Sequence, residues 1–469
     1  MLNISMQLKL NDLTLIIKFD NEQEKRLIKK FITFKDSSAA FFGGKFHPER
    51  VKDVCLGKEI KEYFVCFAGF TKEIIVFAKQ NGLSITKFED TRTHFDFQKK
   101  EWTHDELRKY FNPNFKYVEH QIRALQAMIS TNTGLVVAPT SAGKSSIMSA
   151  YIRLTRLPTL ILVNKVMLGS QLRDDFVKAG ISCGLCSGKG VTKGDCMVST
   201  IQSVGKLGDL TRFKVVLCDE CHNVSAGTFQ KFLSQFGCAL KFGFSASPSR
   251  TGDYLGYAKI RQFLGSPVVK IESKELLENE VMAKPHIYLV KNECKQDEYF
   301  DYQTAYTEEI VNSTKRNGLV KTICEKYGTG ILIVVNIVEH GQVLEQFIPG
   351  AKFISGETPI EERQEAIKNF DEGKLPVLIG STILQEGISI THMKCMILAC
   401  GGKSNVAVLQ KIGRSLRFKA GEKTEVDYYD FIDTANFLSK HSKMRVTLYK
   451  KAGYDDMHLL DSDLQEIKK

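Results

Sequence analysis

From about residue 100 onward, short apolar and β-branched runs recur between stretches of helical periodicity: "GLVVAP", "TLILVN", "CMVST", "VVLCDE" and "KFGFSAS". These runs lack the alternation of a strand with one wet face. Each therefore predicts a strand buried on both faces, and such strands interleaved with helices predict a parallel sheet covered on both sides. The order repeats after about residue 285 with "ILIVVN", "AKFISG", "PVLIGS", "CMILAC" and "DYYDFID". Two tandem α/β domains follow, joined near "ESKELLENEVMAKP" (272–285). Ahead of them, "LTLIIKF" and "YFVCFAG" alternate as β-like stretches with an amphipathic helix over "TKEIIVFAKQNG". The predicted division is a small α+β domain over 1–98, a parallel-sheet domain over 99–275, and a second over 276–469 that ends in a basic extension.

Composition narrows the class. The 469 residues are 43% hydrophobic and 25% charged with only 10 Pro, which is the balance of a globular protein. No apolar run approaches membrane-spanning length and no terminal leader pattern is present, so a cytosolic protein is expected. The formal net charge of +11 suits a phosphate-rich partner as well as a solvated surface. Twelve cysteines at no regular spacing read as reduced thiols. The aromatic and basic stretch "FFGGKFHPER" (41–50) suits either a nucleic-acid contact or an ordinary hairpin.

"APTSAGKSS" (138–146) lies between a predicted strand and a predicted helix, and fits [AG]-x-x-x-x-G-K-[ST]. Small residues let backbone N–H groups curl around a phosphate at the positive end of a helix. The loop residues Thr140, Ser141, Ala142, Gly143, Lys144, Ser145 and Ser146 are the candidate nucleotide ligands. Lys144 is expected to meet the β and γ phosphates, and the Ser145 hydroxyl to bind Mg²⁺.

"VVLCDECH" places two carboxylates at the carboxyl end of a buried strand, beside that loop. Asp219 is expected to hold Mg²⁺ and Glu220 to act as general base on the attacking water. The same stretch offers Cys218, Cys221 and His222 as zinc ligands, with Cys183 and Cys186 as a second pair. The gap between the two pairs is wider than the usual roughly 15–20 residues, and Cys218 is expected to face the core. The zinc-binding alternative, a nucleic-acid binding module with a degenerate ATPase, is therefore the weaker one.

Further motifs carry a resemblance. The order of elements over roughly 110–435 resembles superfamily 2 helicases of the DExH type, which implies two RecA-like domains. The resemblance implies that Gln121 in "VEHQIRALQ" reads adenine. It implies that "LILVNKVMLGSQL" and "MVSTIQSV" contact the nucleic-acid backbone, with Asn164, Gln171, Thr200 and Gln202 as candidates. "SAS" stands where the family has Ser-Ala-Thr, making Ser245 and Ser247, with His222, the residues that couple nucleotide state to nucleic acid. In the second domain "VLIGSTILQEGISI" resembles motif V through Ser381, Thr382, Glu386 and Gly387, although Ser389 stands where many members carry Asp. "LQKIGRSLR" matches Q-x-x-G-R-x-x-R through Gln410, Gly413, Arg414 and Arg417.

Within that superfamily the chain looks similar to the phage UvsW-type helicases, which remodel branched DNA. The expected activity is ATP hydrolysis that drives a monomer along DNA, with forked or junction DNA preferred. ATP and Mg²⁺ are the expected cofactors, held between the two domains, with Arg414 and Arg417 stabilising the transferred phosphoryl. An RNA-directed DExH helicase is the nearer alternative. The basic stretch "SKHSKMRVTLYKKAGY" (439–454) reads equally as a backbone contact or a solvated helix face.

Overall fold

The computed structural model describes residues 5–38, 41–42, 45–111, 119–139, 142–225, 227–249, 253–278, 285–381, 393–402, 425–451, 454 and 456–467. Two compact units divide the chain, Met1–Ile271 and Glu272–Lys469.

The first unit opens with a mixed sheet of β1 (Ser5–Leu10), β2 (Thr14–Phe19), β3 (Gly57–Ile60), β4 (Tyr63–Phe67) and β5 (Ser84–Asp90), in the order β3-β4-β2-β1-β5. Its pairs are antiparallel except β1 with β5. Helix α1 (Glu22–Phe31) starts where Asn21 accepts from the backbone N–H of Gln23 and Glu24, while Glu24 reaches back to the Asn21 N–H. This reciprocal cap satisfies donors that the first turn leaves unpaired. Helix α2 (Thr71–Gln80) covers the predicted amphipathic stretch and stops at Asn81 and the left-handed Gly82 (φ +71°). Ile28 and Ile74 enter a shared core with Met6, Leu8, Ile17 and Phe64. In "FFGGKFHPER", Phe41–Phe42 pairs antiparallel with Lys45–Phe46, and Pro48–Arg50 forms a short 3₁₀ turn.

The second sheet of this unit contains β6 (Thr133–Val137), β7 (Thr159–Val163), β8 (Cys183–Ser187), β9 (Gly190–Val191), β10 (Cys196–Thr200), β11 (Val215–Asp219), β12 (Leu240–Ser245) and β13 (Pro267–Lys270). Their order is β9-β8-β10-β7-β11-β12-β6-β13, parallel but for the edge strand β9. Strands β7, β10, β11 and β12 are buried at every residue, which is why they read as continuous apolar runs. Helices α3 (Glu119–Ile129), α4 (Lys144–Thr155), α5 (Val166–Lys178) and α6 (Tyr254–Leu264) accompany this sheet.

Helix α6 joins the two sheets. Its Ala258 belongs to the N-terminal core, Phe263 packs on Phe67 at 4.3 Å between ring centres, and Arg261 pairs with Glu73 at 2.6 Å. Lys241, almost wholly buried, donates from Nζ to the Asp12 carbonyl at 2.5 Å. Burial alone pushes that ammonium pKa down from its usual value. The five-stranded sheet between Ser5 and Asp90 is thus a separate sheet inside the first compact unit.

The second unit is a wholly parallel sheet of β14 (Pro285–Asn292), β15 (Ile331–Val334), β16 (Ala351–Ile354), β17 (Val377–Gly380), β18 (Cys395–Leu398), β19 (Val426–Asp433) and β20 (Met457–Leu460), ordered β16-β17-β15-β18-β19-β14-β20. Helices α7 (Thr314–Tyr327), α8 (Val338–Phe347), α9 (Ile360–Asp371) and α10 (Asn436–Lys451) accompany it. Two fully buried arginines lock its strand ends. Arg316 pairs with Asp433 at 2.5 Å and donates to the Ala399 carbonyl, and Arg445 pairs with Asp430 at 2.8 Å and donates to the Gly402 carbonyl. Arg445 lies within the basic stretch 439–454, so at this position neither sequence reading applies: the cation faces the core. Strands β8, β9, β13, β14 and β20 were not among the apolar runs, because edge position or partial exposure breaks their pattern. Among the described residues no helix is long and apolar enough to cross a membrane.

Candidate active site

The loop after β6 ends at Gly143, whose φ of +74° is the left-handed region that glycine adopts without strain. A Cβ there would also sit 2.2 Å from Nε2 of Gln121 and displace that amide from the loop, so the backbone favours glycine and a side chain would disturb Gln121. Lys144, Ser145 and Ser146 form the first turn of α4, where backbone N–H groups and the helix dipole favour an anion. From α3, Gln121 Nε2 donates to the Ala142 carbonyl at 3.2 Å, and His120 Nε2 lies 3.1 Å from the same oxygen. Gln121, expected at the adenine, thus touches the phosphate-loop backbone. His120 was missed; its place beside Gln121 on a buried helix was the available signal. Thr140 and Ser141 lie outside the described residues.

Asp219 ends β11 and Glu220 follows it, both largely buried. Strand β12 lies between β11 and β6, so the acidic pair is one strand removed from the loop strand rather than directly beside it. The side chains bridge that gap: Lys144 Nζ meets Glu220 Oε1 at 3.3 Å. Glu220 itself has φ +48°, a conformation that costs a non-glycine residue of order 1–3 kcal/mol and recurs at functional sites. The Asn223 side-chain amide donates to the Glu220 carbonyl at 3.1 Å, which helps hold this turn.

His222 extends the line. Its Nδ1 lies 3.4 Å from Glu220 Oε2 and 3.1 Å from the Ser245 hydroxyl at the end of β12, while the Ser245 oxygen accepts from the Ser247 N–H at 3.2 Å. A path of polar atoms, buried except at the partly exposed His222, therefore runs from the phosphate loop through the acidic turn to the "SAS" segment. Cys218 and Cys221 are fully buried in the apolar core, and burial pushes both thiols well above their usual pKa. That opposes the thiolate form a zinc site requires. Among the described residues neither belongs to a grouping of three or more ligands close enough to share a metal.

The residues present fit a nucleotide with a hard cation. Gly143 leaves the loop backbone open, α4 supplies a positive helix end, and Ser145 with Asp219 offers hydroxyl and carboxylate oxygens of the kind that suit Mg²⁺.

The candidate nucleic-acid residues gather at the carboxyl ends of parallel strands, where open α/β sheets bind ligands. Asn164 follows β7, Thr200 ends β10, Gln202 follows it, and Gln171 lies on α5. Asn164 and Gln171 are partly exposed and Gln202 is exposed, whereas Thr200 is buried. In the second unit Ser381 follows β17, is buried, and donates its N–H to the Ile354 carbonyl at 3.3 Å. Thr382, Glu386, Gly387, Gln410, Arg414 and Arg417 lie outside the described residues.

The chain matches the family described as type III restriction enzyme, res subunit, over residues 114–250, and the helicase conserved C-terminal domain over residues 314–419. The ATP-dependent DNA helicase uvsW of Enterobacteria phage T4 is 28% identical over 361 residues, which cover 66% of this chain and 70% of that protein. The DNA 3'-5' translocase XPB2 of Sulfurisphaera tokodaii is 23% identical over 357 residues, covering 65% and 79%. The structure of S. cerevisiae Dbp5 bound to RNA and ADP BeF3 aligns with a TM-score of 0.57 at 18% identity, over 77% of this chain and 96% of that one, a likeness of fold. With both family matches in motif order on two parallel-sheet units, the chain belongs to the superfamily 2 helicases, ATP-hydrolysing enzymes with RecA-like domains.

Proposed function

We propose that this helicase uses ATP to translocate on DNA and to remodel branched DNA by branch migration or fork reversal. The observation that carries the reading is the line Lys144–Glu220–His222–Ser245, with steps of 3.3, 3.4 and 3.1 Å. Its residues link an anion-binding loop to the strand end from which the "SAS" segment leaves.

Lys144 has two anionic claimants, Glu220 and a nucleotide phosphate. When Lys144 turns to phosphate, Glu220 loses its counter-charge and becomes a stronger base for the attacking water. His222 faces both Glu220 and Ser245, so a change at Glu220 reaches the "SAS" segment through one side chain. Ser145 and Asp219 would hold Mg²⁺, which supplies charge neutralisation at the phosphates. Gln410, Arg414 and Arg417 would stabilise the charge that develops on the transferred phosphoryl. Asn164, Gln171, Thr200 and Gln202 of the first unit, and Ser381 and Thr382 of the second, would contact the nucleic-acid backbone, which implies low sequence specificity and steep salt dependence.

The choice of DNA is supported by the DNA activities for which the relatives are named, while the net charge of +11 suits either nucleic acid. The choice of branched DNA is supported by the resemblance to UvsW-type helicases. An unwinding panel with forked DNA, four-way junctions, linear duplex DNA and duplex RNA tests both. Four-way junctions and forks are expected to be processed fastest. Faster unwinding of the RNA duplex would overturn the DNA assignment, and equal rates on linear and branched DNA would overturn the branched preference.

A further inference from the structure

We propose that His286, His458 and Asp456 form a site for a divalent transition-metal ion at the amino-terminal edge of the second unit's sheet. One donor atom from each residue lies within 4.8 Å of the others. His286 Nδ1 is 2.8 Å from one Asp456 oxygen, and His458 Nε2 is 3.0 Å from the other. A tetrahedral ion with bonds of about 2.0–2.1 Å needs donors roughly 3.3 Å apart, so small side-chain rotations close the set.

The outer nitrogens supply a second, independent observation. His286 Nε2 faces Glu425 at 3.6 Å, and His458 Nδ1 faces Glu466 at 2.8 Å. Each imidazole therefore has a carboxylate at both nitrogens. A neutral ring has one N–H and one lone pair, and an ionised carboxylate only accepts. Glu466 is within hydrogen-bonding distance of His458 Nδ1 and can accept its N–H while Nε2 turns a lone pair to an ion, whereas Glu425 at 3.6 Å makes only a longer electrostatic contact with His286. Metal-bound histidines carry this arrangement, in which an outer carboxylate fixes the tautomer and raises ligand basicity. Tyr288 stacks on His458 at 5.3 Å and 27°, and on Tyr429 at 4.9 Å, which fixes the plane of that ring.

Three carboxylates around two imidazoles make a net negative cluster whatever the charge of the rings, and a divalent cation offsets it. Two nitrogens and an oxygen select borderline ions such as Zn²⁺, Co²⁺ or Ni²⁺ over Mg²⁺ or Ca²⁺. The side chains of His286, Asp456 and His458 are 24%, 31% and 32% exposed, open enough for ion entry and for water as the remaining ligand. The site lies at the start of β14 and β20, and Glu425 directly precedes β19. Ser381 and Gly401 lie at the opposite, carboxyl ends of the strands. The ion would thus pin the terminal strand β20 to β14 and act on stability rather than on hydrolysis.

Titration of the untagged full chain with Co²⁺, without nucleotide, tests this through the visible absorption of a tetrahedral site. One equivalent is expected, displaced by Zn²⁺ but not by excess Mg²⁺, and retained in Asp219→Asn. Affinity should fall about 10-fold in Glu466→Gln, and in His458→Ala by at least about the 100-fold upper end of outer-shell effects. Zn²⁺ should raise the thermal midpoint of the wild type and leave that of His458→Ala unchanged. No saturable equivalent in the wild type, displacement by Mg²⁺, loss in Asp219→Asn, or unchanged binding in both histidine-site variants would overturn the proposal.

Discussion

Glu220 concentrates the chemistry of the first unit in one residue: a strained backbone, a buried carboxylate, and contacts to Lys144 and His222. Replacing it with Gln keeps the shape and removes the base. Glu220→Gln should therefore bind ATP nearly as well as the wild type while turnover falls by at least about 100-fold; turnover within a few-fold of wild type would contradict the assignment. A second residue sets a pH dependence. His340 on α8 is fully buried, its Nε2 lies 3.1 Å from the Asn317 amide oxygen, and burial followed by the nearby Arg316 lowers its pKa from 6.5 to about 3. The folded chain holds this imidazole neutral while the unfolded chain protonates it below 6.5, so the contribution is present above 6.5 and lost as pH falls toward 3. Each pH unit in that window removes up to about 1.4 kcal/mol. Urea unfolding of His340→Gln, whose amide can donate to the same Asn317 oxygen, should show a shallower loss between pH 6.5 and 5 than the wild type.

Helix α6 carries the largest structural consequence that the sequence did not show. Its burial reflects two sheets at once, and at Gly69 the N-terminal segment approaches it tightly: a Cβ would stand 2.1 Å from the Arg261 carbonyl. Gly69→Val should cost about 1–3 kcal/mol and speed proteolysis near residues 91–104, with ATP binding retained; an unchanged cleavage rate would contradict this view of the contact. The strands buried on both faces were legible as runs because burial leaves no polar face to interrupt them. The phosphate loop and the acidic pair were legible because a few residue types at fixed spacing express the chemistry locally. Contacts that depend on distant partners left no such trace. Lys241 on Asp12 and Arg445 inside the second unit each look like ordinary polar residues until the chain is folded.

At the scale of the molecule, each compact unit presents a parallel sheet whose carboxyl ends hold candidate ligand-binding residues, and the first unit adds an N-terminal sheet fused through α6. Hydrolysis by a motor of this kind has meaning only if nucleic acid controls it. The most direct measurement is steady-state ATPase activity of the full chain with and without four-way-junction DNA, in wild type and Lys144→Ala. The account predicts strong stimulation by DNA that weakens steeply with added salt, and no turnover above background in Lys144→Ala. A folded wild type whose ATP turnover is indifferent to DNA would contradict it.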